Sequence, residues 1–314
     1  MQIRYKQETE NQPFVSIIVN CFNGQKFLRE ALDSILSQTY TNWEVVFWDN
    51  QSTDESANIF KSYNDQRLKY FYAPKHTIIY EARNYAVENS SGEFVAFLDV
   101  DDGWSEKKLS LQIPLFDNPD VGFVCSKAWI LEESSGLCRK LHEKNIPTGW
   151  VLRELISNYS LIMSSLVIRR SAYESIDNGF DKSLHILGDM DFMIRLATSW
   201  KLGCAQEELM FYRLHGENIG QTQRELHAKE LKIVVEKLHT IDKINKLEEF
   251  NHLKHQLTYI EGRHKFEQKE WREAIDRLFK LPFGKLKLKL LIICITPTYL
   301  LRKLGLIRQF NNPK

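Results

Sequence analysis

The apolar run Phe94-Val-Ala-Phe-Leu98 ends directly in Asp99-Val-Asp101-Asp102, so a strand with the composition of a core delivers three carboxylates within four residues. Like charges this close raise one another's pKa, and a fold relieves them with a cation or with strong hydrogen-bond donors. A hard divalent ion that keeps some of its waters and also grips phosphate oxygens needs only one or two protein carboxylates. The stretch therefore predicts metal-assisted chemistry on a phosphorylated substrate. A polar loop that caps the next helix through Asp102 or Ser105 is the plainer alternative.

Around this stretch the chain alternates strand and helix. Phe14-Val-Ser-Ile-Ile-Val19 reads as a buried strand and Asn20-Cys-Phe-Asn-Gly24 as its turn, after which apolar residues recur at helical spacing from Phe27 to Leu36. Trp43-Glu-Val-Val-Phe-Trp48 is a second strand and runs into Asp49-Asn-Gln-Ser-Thr-Asp54, where Ser52 or Thr53 is expected to cap a helix reaching Ser62. Leu68–Tyr72 is a third strand, residues 80–89 are a third helix, and the carboxylate-tipped strand is the fourth. This order predicts an α/β fold: a Rossmann-like, mostly parallel sheet flanked by helices, with ligands at the carboxyl ends of its strands. The polar clusters at 20–24, 49–54 and 99–102 all fall at such ends.

Beyond Leu109 the pattern loosens. Val121–Cys125 and Ser165–Ile168 read as strands, Ser134-Ser-Gly136 as a hairpin turn and residues 150–158 as a short helix. Gly188-Asp-Met-Asp191 leads into the amphipathic helix Phe192–Ala197, and Leu209–His215 is a last strand. From Thr222 onward the chain becomes Lys/Glu/Leu-rich helix, which places a domain boundary between residues 1–221 and 222–314. The formal charge of +1 over 314 residues divides unevenly: nine Lys/Arg and no Asp/Glu follow Asp276, which leaves −8 on residues 1–276. An acidic body argues against nucleic acid as a partner. Five scattered cysteines, an odd number, favour reduced thiols and a cytoplasmic setting, and the polar, charged N-terminus does not read as a secretory signal. Neither G-x-G-x-x-G nor G-x-x-x-x-G-K-[ST] occurs, so a nucleotide would be held by carboxylates and a metal rather than by a glycine loop.

Five motifs in order, Val15-Ser-Ile-Ile-Val-Asn-Cys-Phe-Asn23, Asp49-Asn-Gln-Ser-Thr-Asp54, Ala82-Arg-Asn84, Gly92–Asp102 and Gly188-Asp-Met-Asp191, make the chain resemble the inverting, family-2 type glycosyltransferases of GT-A fold. The resemblance covers residues 14–219. It implies transfer of a sugar from a nucleotide-sugar, commonly a UDP-sugar, to a glycan or lipid-linked acceptor in surface polysaccharide synthesis, with Mn2+ or Mg2+ as cofactor. By the family pattern Asn20, Phe22, Asn23 and Asp49 cradle the nucleobase, the carboxylate accepting the imide N–H of uracil. Arg83 approaches the base or the phosphates, although pairing with Glu81 or Glu88 would also satisfy it. Asp101 holds the ribose or the metal's waters, Asp102 binds the metal directly and Asp99 orients from behind. Arg213 and His215, in a Tyr-Arg-x-His pattern, lie over the diphosphate, with His215 as a third metal ligand. Asp189 is the base that deprotonates the acceptor hydroxyl, and Asp191 shares its side only in an extended segment. Trp104 stacks on a sugar or fills the core.

The chain departs from the pattern in three places. The first turn is Asn-Cys-Phe-Asn where Pro-x-Tyr-Asn is common, Gln51 replaces a Gly, and Gly188 replaces a Glu. The Q-x-x-R-W motif of processive synthases is absent, which favours single-sugar transfer. Residues 246–280 read as two helices around Tyr259-Ile-Glu-Gly262 and Ala274. The stretch Lys285–Lys303 has an uncharged core, Leu290–Leu301, of 12 residues interrupted by Pro297. That is short of the roughly 20 needed to span a bilayer. A basic amphipathic tail over about residues 282–308 is thus expected to lie on an anionic membrane surface, peripheral on the cytoplasmic face, or else to pack on the catalytic domain. A sugar nucleotidyltransferase and a non-catalytic scaffold acting through the helical tail are the alternative functions.

Overall fold

The computed structural model describes residues 12–216 and 224–296. They fall into two compact units, one ending by Thr222 and the other starting from Gln223. The expected 221/222 boundary and the tail beyond Thr296 lie outside the described residues.

The first unit opens with β1 (Val15–Cys21), α1 (Leu28–Leu36), β2 (Trp43–Asp49), α2 (Ser56–Lys61), β3 (Leu68–Tyr72), α3 (Ile79–Glu88) and β4 (Phe94–Phe97). Every residue of β1, β2 and β4 is buried, as continuous apolar strands covered on both faces must be. Leu28, Ala31, Leu32 and Ile35 of α1 are buried at helical spacing. β3, β2, β1 and β4 pair in parallel, with Cys21 opposite Asp49 and Ile18 opposite Phe97. That register puts the three polar clusters on one edge.

The rest of the unit is β5 (Gly103–Trp104), α4 (Lys108–Gln112), β6 (Val121–Glu132), β7 (Cys138–Lys140), α5 (Leu152–Ser157), β8 (Val167–Arg169), α6 (Arg170–Glu174), α7 (Gly188–Ala197) and β9 (Lys201–Leu214). The sheet runs β3-β2-β1-β4-β8-β6-β9-β5, with β7 paired to β6. β8 is antiparallel to both β4 and β6, and β6 is parallel to β9, so β9 points the same way as β4. Arg213 and His215, at the end of β9, therefore arrive at the same edge as Asp99. The expected α/β sheet with flanking helices and a helical C-terminal annex is present. Its parallel half ends at β4, and the other half is mixed. β6 and β9 extend well past the apolar stretches visible in sequence, because bulges near Ser126 and Lys127 let polar residues continue the ladder. α2 is not capped by Ser52 or Thr53. Asp54 accepts the Ser56 amide at 2.9 Å instead, one residue beyond Thr53.

In the second unit α8 (Arg224–His239) and the short α9 (Asp242–Asn245) precede α10 (Glu248–Glu267), α11 (Trp271–Lys280) and α12 (Lys285–Ile295). Phe266, Ala274 and Ile293 form one small core, and Leu278, Leu281 and Leu290 another. The two-helix reading of 246–280 corresponds to α10 and α11, with Ala274 buried between them.

Candidate active site

Two turns form the nucleotide end of the edge, and they are stitched together. The Asn23 amide donates to Ser52 Oγ at 3.0 Å, the Gly24 amide to Ser56 Oγ at 2.9 Å, and Asn23 Oδ1 accepts the Thr53 amide at 2.8 Å. Gly24 packs so close to Val100 that a Cβ would lie 2.9 Å from its side chain, which draws the first turn onto the carboxylate loop. Asn23 (φ 53°) and Gln51 (φ 69°) both sit in the left-handed region. Gln51 thus occupies, under strain, the conformation that a glycine adopts freely. Phe22 is half exposed, with its ring centroid 4.3 Å from that of His76, whose Nδ1 lies 2.8 Å from the Asn50 carbonyl. Asn20 is buried, and its Nδ2 has no partner among the described residues.

Asp49 is sealed. Its Oδ1 accepts the Ser52 amide at 2.7 Å and its Oδ2 the Tyr70 hydroxyl at 2.6 Å, with no surface exposed. Asp102 is sealed as well: Oδ2 accepts Ser164 Oγ at 2.5 Å and Oδ1 accepts the Arg213 amide at 3.1 Å. Burial, followed by the charges of Asp101 and Asp99, pushes the Asp102 carboxyl well above the usual range. Protein donors thus reach all four carboxylate oxygens of Asp49 and Asp102, and each oxygen keeps a second lone pair.

The neighbouring carboxylates are more open. Asp101 Oδ2 lies 2.8 Å from His215 Nε2, and burial raises its carboxyl, aided by the charge of Asp99. Asp99 accepts Arg83 Nη2 at 2.6 Å. Arg83 is buried and pairs with this site carboxylate rather than with Glu81 or Glu88. Arg213 donates through Nε to the Asp101 carbonyl at 3.0 Å and pairs with Glu30, its guanidinium 4.6 Å from the Phe27 ring centre. Trp104 belongs to the core, with Nε1 donating to the Ser164 carbonyl at 2.8 Å.

Asp189 lies in the first turn of α7, where its Oδ1 accepts the Met190 amide at 2.7 Å and lies 3.4 Å from the Tyr80 hydroxyl. Burial raises its carboxyl. Met190, Arg83 and Tyr80 oppose that shift and the charge of Asp99 adds to it, so Asp189 shares one field with the carboxylate cluster. Gly188 has no room for the Glu common at this position, since a Cβ would come 2.5 Å from the Tyr80 ring. Asp191 is helical, fully buried and held by Arg195 at 2.8 Å, so it points away from this role. Nothing in the sequence singles out Tyr80 or Ser164. Ser164 holds Asp102 and also accepts the Asp99 amide at 3.1 Å from 65 residues away, and no local pattern encodes such a contact.

Residues 16–176 match the family model described as glycosyl transferase family 2. The chain belongs to glycosyltransferase family 2. Over 220 residues it is 31% identical to the uncharacterized glycosyltransferase RT0329 of Rickettsia typhi, covering 67% of this chain and 66% of that protein. It is 33% identical over 121 residues to the UDP-Glc:α-D-GlcNAc-diphosphoundecaprenol β-1,3-glucosyltransferase WfgD of Escherichia coli, covering 38% of this chain and 48% of WfgD. The match thus spans about half to two thirds of these relatives' own length. The solved structure of S. aureus TarS 1–349 with UDP-GlcNAc superimposes with a TM-score of 0.67 at 20% identity, over 89% of this chain and 87% of that one. The family membership makes this chain a glycosyltransferase and displaces the nucleotidyltransferase alternative.

Proposed function

We propose that this glycosyltransferase moves a single sugar from a UDP-sugar to an acceptor hydroxyl with inversion, in surface-glycan synthesis and with a divalent ion bound. The observation that carries the reading is the division of the sheet edge. The Asp101–His215 pair stands where the strand ends meet, and Asp189, a carboxyl with a raised pKa within the field of Arg83 and Asp99, stands on the separate helix α7. The relative WfgD is named for a UDP-Glc donor and a diphosphoundecaprenol-linked acceptor, and the TarS complex holds UDP-GlcNAc. Both support a UDP-sugar donor, and the name of WfgD supports a lipid-linked glycan acceptor.

Among the described residues no group of three or more His, Cys, Asp and Glu forms a ready-made metal cage. An oxygen and an imidazole nitrogen 2.8 Å apart nevertheless suit an ion that draws its remaining ligands from diphosphate and water. Asp101 and His215 would hold Mn2+ or Mg2+, and the bound ion would neutralise the charge that grows on the leaving nucleoside diphosphate. Asp102, gripped by Ser164 and the Arg213 amide, fixes the loop that presents Asp101. Asp49 shapes the base cradle from beneath, while Phe22, Asn23 and His76 offer the accessible surface. Arg83 holds Asp99 and adds positive charge beside the phosphates. Asp189 removes the acceptor proton as the hydroxyl attacks opposite the leaving group, and a one-step displacement of this geometry inverts the anomeric centre.

The test is release of nucleoside diphosphate from UDP-Glc, UDP-GlcNAc and GDP-Man, with Mn2+ and with a chelator. A UDP-sugar turned over only with metal is expected. Turnover confined to GDP-Man, or untouched by the chelator, would overturn the donor or the metal assignment respectively.

A further inference from the structure

α12 is apolar on two opposite sides, and among the described residues only one of them is packed. Leu290 and Ile293 turn inward and are buried with Leu278, Leu281 and Ala274. Leu288, Leu291, Ile292 and Ile295 repeat at i, i+3, i+4 and i+7, which is a single helical stripe, and they are 39–70% exposed. At the corner leading into α12 Phe279 is 74% exposed and Phe283 fully so. At 100° per residue Lys285 and Lys289 flank one edge of the stripe and Lys287 the other. The Lys287 amine lies 5.9 Å from the centre of the Phe279 ring, which brings the aromatic corner to that edge. No acidic residue follows Asp276 in the sequence.

We propose that this stripe and corner dock on the surface of an anionic lipid bilayer. Charge decides the occupant: lysines bordering apolar side chains on both edges suit an acyl boundary beneath negative headgroups. Length decides the orientation. Eleven residues of helix reach only about 16 Å, roughly half of a bilayer's hydrocarbon core, so α12 lies in the plane of the interface. No helix among the described residues is long and apolar enough to cross a membrane.

Flotation of the full chain with vesicles tests this without any sugar donor, so its outcome is independent of the transfer reaction. One set of vesicles is phosphatidylcholine with about one-third phosphatidylglycerol, and the other is phosphatidylcholine alone. The wild type is expected to float with the anionic set and to be released by high salt. Lys285→Gln and Lys289→Gln should each weaken partition about fivefold. The double variant Leu288→Glu/Ile292→Glu should lose it while keeping its helical circular dichroism, since both residues lie on the open side. Three results would overturn the proposal: no flotation of the wild type, unchanged flotation of the double variant, or equal binding to neutral vesicles. Concentration-dependent self-association that the double variant abolishes, without vesicle binding, would assign the stripe to a second copy of this chain.

Discussion

The carboxylates at the sheet edge form two layers that look alike in sequence and differ in structure. Asp49, Asp102 and Asp191 lie beneath, each fully or almost fully buried and each bound by protein donors. Asp99, Asp101 and Asp189 lie above, partly exposed. Buried carboxylates are tolerable when protein donors reach them. On the proposed reading the lower layer sets the geometry, while the upper layer keeps capacity for substrate.

The largest effect that can break this division is on turnover. Asp189→Asn is expected to lower kcat by about 10²–10⁴-fold, read as sugar transfer under saturating donor. Folding raises the Asp189 pKa, so its ionised form is a burden on stability above that pKa. The variant should then keep or gain thermal stability at neutral pH. The lower layer should behave in the opposite way. Asp191→Ala leaves Arg195 buried without its carboxylate and is expected to cost about 3–5 kcal/mol in urea unfolding, with kcat per folded molecule largely retained. A loss of kcat in Asp191→Ala without loss of stability would erase the distinction.

The pH profile sharpens it further. A base must be ionised, so kcat should fall about tenfold per unit as pH drops through the Asp189 pKa. That limb should lie above the ordinary carboxylate value of about 4, because burial holds the proton on. An acid limb at or below that value would mean that Asp189 is not the base. The smallest effect concerns the nucleotide turns. Gln51→Gly relieves a left-handed glutamine and should stabilise the protein by roughly 0.5–1 kcal/mol, offset by loss of the 3.3 Å contact from Gln51 Nε2 to the Ala73 carbonyl. Thermal unfolding measures it, and marked destabilisation would show that the side chain matters more than the strain.

The parallel half of the fold was legible because β1, β2 and β4 are continuous apolar runs with polar ends, and burial on both faces leaves little choice of structure. β6 and β9 run past the apolar stretches that mark them in sequence. Ser126, Lys127, Gln206 and Glu208 break the apolar pattern, and the bulged ladder that carries them is a tertiary feature. The convergence of the candidate residues was legible from the strand ends that carry them. The structure brings Asp99, Asp101, Asp102, Arg213 and His215 together as expected. Which protein donors hold the carboxylates was not legible, because those donors come from afar: Tyr70 for Asp49 and Ser164 for Asp102. Asp191 could be separated from Asp189 only once the segment was known to be helical. Of the five cysteines, Cys21 and Cys125 are buried, whereas Cys138 is exposed.

Calorimetric binding of UDP with and without Mn2+, to wild type, Asp101→Asn and Asp189→Asn, tests the central assignment most directly. The account predicts that Mn2+ tightens UDP binding by about tenfold or more in wild type and Asp189→Asn, and not in Asp101→Asn. Retention of the full Mn2+ effect in Asp101→Asn would contradict it.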